Sequence, residues 1–219
     1  MQNPFSPISS TFKIEDGIKI YNFNQCLNYI EQQGKKIFGH HFQIYPEDLP
    51  VLYKLLIYAI KDKKNAFKLQ LNLERGILLT GPIGCGKTSL MHLIKPFFVK
   101  SSDYKIITCR EIAFDFAKNG YEALTPYTQK TGFQPRISGY CFDDFGAEQQ
   151  IKHFGNECNV MAEILLTRYE DFVANSCTTH LTTNLSASEI EKHYGNRLRS
   201  RMRSQFNVIA YPPQTKDKR

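Results

Sequence analysis

The sequence predicts an α/β fold in which a central parallel β-sheet is flanked by helices. Three observations carry that prediction. From residue 76 onward, short apolar and β-branched runs alternate with amphipathic stretches, the pattern of strand–helix units that builds parallel sheets. One such run leads directly into Gly81-Pro82-Ile83-Gly84-Cys85-Gly86-Lys87-Thr88, which fits G-x-x-x-x-G-K-[ST], and a helix-forming stretch follows it. A later run, Gly139-Tyr140-Cys141-Phe142, ends in two carboxylates, Asp143 and Asp144.

The elements follow in order. Residues 1 to about 22 carry Pro4, Pro7, Ser9, Ser10 and Thr11 without clean periodicity, and read as an exposed arm. Asn24 to Ile37 places Cys26, Leu27, Ile30 and Ile37 as the apolar face of a helix, broken near Gly34. Pro46-Glu47-Asp48 is a start signal for a second helix, and Leu49, Leu52, Leu55, Leu56, Ala59 and Ile60 continue it at helical spacing. That helix fades into a lysine run at Lys61, Lys63, Lys64 and Lys68. Strands are expected at Gly76–Thr80, Lys105–Cys109, Gly139–Phe142, Thr178–Thr183 and Phe206–Tyr211. Helices are expected after the glycine-rich loop (Ser89 to Lys95), at Arg110–Lys118 and Tyr121–Thr128, at Val160–Val173 and at Ser188–Tyr194.

The glycine-rich octapeptide is a phosphate-binding loop. Its glycines let backbone N–H groups approach phosphate oxygens with no Cβ in the way. The helix behind it turns its partly positive N-terminus toward the same anion. Lys87 supplies an ammonium for the β- and γ-phosphates, and Thr88 supplies a hydroxyl for Mg²⁺. The expected nucleotide-binding set is therefore Gly81, Pro82, Ile83, Gly84, Cys85, Gly86, Lys87, Thr88 and the following Ser89. In a parallel sheet the strand ends share one edge, so Asp143 can meet the Mg²⁺ held by Thr88. Asp144 is then placed to orient and deprotonate the attacking water.

Two further groups follow along the chain. Thr182-Thr183-Asn184 ends another expected strand, and the Asn184 amide there could hold the attacking water. In Tyr194-Gly195-Asn196-Arg197-Leu198-Arg199-Ser200-Arg201, Arg197 and Arg201 stand four apart and share a helix face. An arginine that reaches a neighbour's γ-phosphate stabilises the charge developing in the transition state. A nucleic-acid stripe and plain surface charge are the competing readings of these arginines.

Composition narrows the class. An apolar share of 42% over 219 residues supports one globular domain with a buried core, alone or with a small N-terminal appendage. No apolar run approaches a membrane span and the N-terminus lacks a signal-peptide pattern, so a cytoplasmic protein without membrane contact is expected. The six cysteines include no C-x-x-C, and the six histidines show no ligand spacing. They read as reduced thiols and ordinary histidines, not as a disulfide frame or zinc site. The net charge of +7 gathers at the lysine run, at Arg197, Arg199, Arg201 and Arg203, and at Lys216, Lys218 and Arg219. Such clusters favour nucleic acid or other polyanions, or serve as a solvated face.

The order of these motifs resembles the AAA+ ATPases of the initiator and helicase-loader branch, over roughly residues 73 to 211. Gly81–Thr88, Phe142-Asp143-Asp144-Phe145-Gly146, Thr182-Thr183-Asn184-Leu185 and Arg197-Leu198-Arg199-Ser200-Arg201 carry it. The nearest resemblance is to DnaC-type loaders of the replicative helicase and IstB-type helper ATPases of transposition. It implies Walker A at Gly81–Thr88, Walker B at Asp143 and Asp144, sensor 1 at Asn184, and an arginine finger at Arg201 with Arg197 beside it. It also implies a P-loop NTPase core without a C-terminal lid domain, and without a sensor 2 arginine. ATP and Mg²⁺ are the implied cofactors.

Single-stranded DNA, a replicative helicase or a transposase, and further copies of the chain on ATP or DNA binding, are the implied partners. Residues 110 to 128 resemble that branch's DNA-contacting insertion, with Lys118, Tyr121, Tyr127 and Lys130 as the candidate contacts. The corresponding division is an N-terminal arm and helices over 1–72 as the partner-binding candidate, an ATPase core over 73–211, and a basic tail over 212–219. A P-loop kinase and an ATP-switched binding module are the rival classes. A kinase does not need this succession of acids, amide and arginines, and the intact Lys87, Thr88, Asp143 and Asp144 argue against a degenerate module.

Overall fold

The strand that feeds the glycine-rich loop lies near the middle of a five-stranded, wholly parallel sheet, and that position organises the molecule. The computed structural model describes residues 7–99, 102–128, 139–148, 151–153, 156–175 and 177–219. Its central strands are β3 (Gly76–Thr80), β4 (Tyr104–Thr108), β5 (Gly139–Phe145), β8 (Thr179–Thr183) and β9 (Phe206–Ala210). They pair in the order β4-β5-β8-β3-β9. Two antiparallel hairpins stand apart from this sheet: β1 (Phe12–Glu15) with β2 (Ile18–Tyr21), and β6 (Ile151–His153) with β7 (Asn156–Cys158).

Helices cover both faces, so the central strands are apolar on both sides and read as continuous runs. On one face Ile77, Leu79 and Cys141 pack with α1 (Phe23–Phe38), α2 (Leu49–Ala59) and α4 (Lys87–Ile94) through Ile30, Leu52, Leu55 and Met91. On the other, Leu78, Phe142 and Leu181 meet α5 (Cys109–Asn119), α7 (Val160–Asn175) and α8 (Ala187–Gln205) through Ile112, Ile164, Leu165 and Leu198. Short helices α3 (Lys63–Lys68) and α6 (Thr125–Thr128) fill the remaining described connections. Residues 211–219, after β9, form no helix.

The expected strands and helices are present except that Tyr121–Thr128 is a 3-10 turn (Gly120–Leu124) leading into the single turn of α6, and three further corrections apply. The N-terminal arm contains a hairpin: Asp16 and Gly17, both at positive φ (50° and 76°), make the two-residue turn between β1 and β2. Helix α1 is not broken at Gly34. That residue is buried, and a Cβ there would meet the Phe42 ring at 2.1 Å, so Gly34 marks a close approach within a continuous helix. The helix expected to stop at Tyr194 runs on to Gln205 after a kink at Gly195, and it carries the arginines. Among the described residues no helix is long and apolar enough to cross a membrane. All six cysteines are buried thiols outside any disulfide.

Candidate functional site

Because every central strand runs the same way, the C-terminal ends of β3, β5, β8 and β9 deliver their following residues to one edge. A cavity of 550 Å³ opens there, lined by Gly84 to Leu90, Asp144, Asn184, Tyr211, Lys218 and Arg219. Its other wall comes from residues between α1 and α2, among them Phe42, Gln43 and Tyr45. The expected loop is a loop in fact: Gly84 and Gly86 take φ of 75° and 97°, and α4 begins at Lys87. Lys87 is buried and folded back, its ammonium donating to the Gly81 and Pro82 carbonyls at 2.9 Å each. Burial pushes the Cys85 thiol up, against the opposing pull of the Lys87 charge.

The carboxylates are held by a chain of hydrogen bonds. Thr88 Oγ1 donates to the buried Asp143 carboxylate, at 3.0 and 2.9 Å from its two oxygens. Thr182 Oγ1 donates to Asp143 Oδ1 at 2.6 Å and accepts the Asp144 backbone N–H at 2.9 Å. One residue further along β8, Thr183 Oγ1 donates to the Phe145 carbonyl and accepts the Leu185 N–H, fixing the turn that follows the strand. Pairing between β5 and β8 slips from Phe142↔Leu181 to Phe145↔Thr183, which places one extra residue on β5. This bulge gives Asp144 a φ of 53°, rare for a non-glycine residue, and turns its side chain into the cavity. Burial and the adjacent Asp143 hold the Asp144 carboxyl above the usual carboxylate range, with Lys87 and Arg219 pulling the other way.

An all-oxygen pair of one hydroxyl and one carboxylate suits Mg²⁺, which takes one or two carboxylates and completes its shell with phosphate and water. Thr88 and Asp143, in hydrogen-bond contact, meet that requirement. Among the described residues no cluster of three histidines, cysteines or acids offers a different metal site.

The remaining candidates separate. Asn184 is exposed on the cavity wall. Arg197 and Arg201 do not line the cavity. Arg197 is exposed, whereas Arg201 lies half-buried against α7, its guanidinium 5.1 Å from the Tyr169 ring and 3.7 Å from Glu170 Oε1. Tyr127 is buried against Tyr140 and Phe142, with ring centroids 5.1 and 5.9 Å away, so it is core and not a stacking platform for bases. Lys130 lies outside the described residues.

Lys118 and Tyr121 are exposed, and the structure adds two neighbours that the sequence reading missed. Arg110, Phe114 and Lys118 stand four apart along α5, with Phe114 57% and Tyr121 63% exposed and the Arg110 guanidinium 5.2 Å from the Phe114 ring. The i, i+4, i+8 spacing was the signal that could have found them. Thr182 was also missed as a ligand-holder, because nothing local distinguishes it from Thr183.

The fold is that of a P-loop α/β core, a five-stranded parallel sheet with helices on both faces and the glycine-rich loop at its C-terminal edge. No protein-family profile and no curated protein sequence matches the chain. Solved structures match it by shape. A protein provisionally described as a primosome component, from Streptococcus pyogenes serotype M3, superimposes with a TM-score of 0.52 at 17% identity, over 78% of this chain and 83% of that one. DnaA from Aquifex aeolicus, solved with AMPPCP bound, gives 0.51 at 14% identity, over 78% of this chain and 48% of DnaA. The DnaC helicase loader gives a TM-score of 0.47 at 17% identity, over 68% of this chain and 86% of that one. Likeness at these identities is likeness of fold.

Proposed function

We propose that this chain binds and hydrolyses Mg-ATP as an AAA+ ATPase of DNA replication, working in the manner of a helicase loader. The observation that carries the reading is the contact of Thr88 with Asp143. It joins the hydroxyl of one motif to the carboxylate of another, 55 residues on, at the mouth of the phosphate loop. Lys87 leaves the loop carbonyls for the β- and γ-phosphates. Thr88 and Asp143 hold Mg²⁺, which when bound offsets the charge of the phosphate oxygens. Asp144, a raised-pKa carboxyl at the end of a bulged strand, takes the proton of the attacking water while the Asn184 amide orients it. The fold's likeness to a primosome component and to DnaA supports a place in replication.

Single-stranded DNA is the polymer that suits the α5 stripe. Cations at Arg110 and Lys118 follow a phosphate backbone, while the Phe114 and Tyr121 rings stack on bases. Titration with a fluorescent ATP analogue tests the nucleotide site. Lys87→Ala removes the loop's only ammonium and is expected to abolish measurable Mg-ATP binding with the fold intact. Unchanged affinity would sink the assignment. Hydrolysis measured with and without single-stranded DNA then separates an ATPase of DNA from a kinase, which needs an acceptor and not a polymer.

A further inference from the structure

Residues 211–219 run back across the phosphate loop from the same sheet edge. Tyr211 N–H donates to the Thr80 carbonyl at 2.9 Å, and the Lys218 backbone N–H donates to the Gly84 carbonyl at 3.0 Å. The Lys218 ammonium pairs with Asp48 Oδ1, the two side chains 12% and 6% exposed, between the rings of Tyr45 and Tyr211 at 5.2 and 5.1 Å. Asp48 Oδ2 meanwhile accepts the Tyr45 N–H at 2.9 Å. Burying an ion pair costs desolvation, and a tail serving only solubility has no need of one. What the clasp does is hold the next residue in one place.

That residue is Arg219. It lines the cavity with Lys87, Asp144 and Asn184. Its guanidinium is held by Asp217, with Nη2 2.7 Å from Oδ2 and Nε 3.1 Å from Oδ1, and Asp217 itself packs against Gly84. We propose that Arg219 is a phosphate ligand of the bound nucleoside triphosphate, supplied in cis by the C-terminal segment, with Lys218 as the residue that positions it. The proposal rests on the ATP-binding reading above. A triphosphate carries more negative charge than one lysine and one divalent cation offset. Lys218 is committed to Asp48, which leaves Arg219 as the cation that can change partners. Its planar fork matches phosphate oxygens as well as it matches the Asp217 carboxylate. Arg219 lines the same cavity as Asp144, so its guanidinium shares the space into which that carboxylate turns.

The test is titration of the full chain with a fluorescent ATP analogue and Mg²⁺. Arg219→Ala is expected to weaken binding about tenfold, the scale of a partly screened charge-assisted hydrogen bond. Lys216→Ala, exposed in the same segment but outside the cavity, is expected to stay within about twofold. Lys218→Ala should reproduce the loss, with Arg219→Ala adding little to it, because both act through one contact. Lys218→Arg should restore binding.

Should the Lys218 variant fail to fold, the exposed Arg219 variant decides alone. Affinity unchanged or tightened by Arg219→Ala overturns the proposal, tightening because the segment would then be an obstruction. Equal losses from Lys216→Ala and Arg219→Ala also overturn it, as diffuse charge. Binding that depends on Lys87 but not on Arg219 removes the tail's role alone, whereas binding indifferent to Lys87 removes both readings.

Discussion

Thr182→Val tests the hydrogen-bond chain that holds the carboxylates, because it changes one hydroxyl to a methyl at nearly constant volume in a fully buried position. Two bonds are lost. The first, to the Asp143 carboxylate at 2.6 Å, is charge-assisted and is worth about 1.5–3 kcal/mol. The second leaves the Asp144 N–H without its acceptor, a desolvation cost of about 1–3 kcal/mol. The added methyl recovers about 1 kcal/mol of apolar burial. The net expectation is a loss of about 3 kcal/mol, which for a chain of this length lowers the melting temperature by roughly 6–12 °C. Equilibrium unfolding in urea measures it as a lower midpoint at unchanged slope. Thr182→Ser keeps the hydroxyl and should lose less than about 1.5 kcal/mol. With Asp143 no longer braced, Thr182→Val should also weaken Mg²⁺-dependent ATP binding. A stability change below about 0.5 kcal/mol would show that the chain bears no weight and that Asp143 is held by Thr88 alone.

Asp144→Asn should keep Mg-ATP bound and lower turnover by about 10²–10⁴, whereas Asp143→Asn should impair Mg²⁺-dependent binding as well. Equal binding losses in nucleotide titrations would mean that the two roles are misplaced. His180 is buried, accepts the Ile77 N–H, and has its pKa pushed down to about 3 by burial and by the charges of Lys61 and Arg168. Below about pH 6.5 the unfolded chain takes up a proton that the folded chain refuses, so this residue's share of stability falls between about pH 6.5 and 3, by about 2 kcal/mol at pH 5. Urea unfolding at pH 7 and pH 5 should show that fall diminished in His180→Gln, and an identical pH response would count against it. Lys87→Ala and Arg201→Ala, each inactive alone, should regain ATPase activity when mixed if Arg201 acts on a neighbour's nucleotide. A mixture that assembles by gel filtration yet stays inactive would confine Arg201 to its place against Tyr169 and Glu170.

The parallel sheet, the glycine-rich loop and the acid-ended strand are legible in the sequence because each is a local pattern. Strand runs such as Ile77-Leu78-Leu79 are apolar on both sides since helices cover both faces, and that shows without any contact being known. Gly84, Gly86 and Lys87 are legible because a phosphate cradle needs those residue types at that spacing. The Asp16-Gly17 turn was not read from the sequence, because strands of only four residues gave too little alternation to expose the hairpin. Gly34 misled because a mid-helix glycine costs about 1 kcal/mol on propensity, and only the Phe42 ring, placed by the tertiary fold, explains its presence.

Tertiary structure decided the rest. Whether Tyr127 faces DNA or core depends on Tyr140 and Phe142, and periodicity over a few residues cannot say which. Arg201 and Arg197 share a helix face in the sequence, yet α7 covers one and leaves the other exposed. The bulge that turns Asp144 into the cavity exists only in the register between β5 and β8. Asp144 meets Thr182 across 38 residues of chain, and Lys218 meets Asp48 across 170. Contacts of that range are set when the sheet closes and its edges bring strand ends together. No spacing rule reaches so far, which is why a basic tail in the sequence becomes a wall of the cavity beside the glycine-rich loop only in the folded chain.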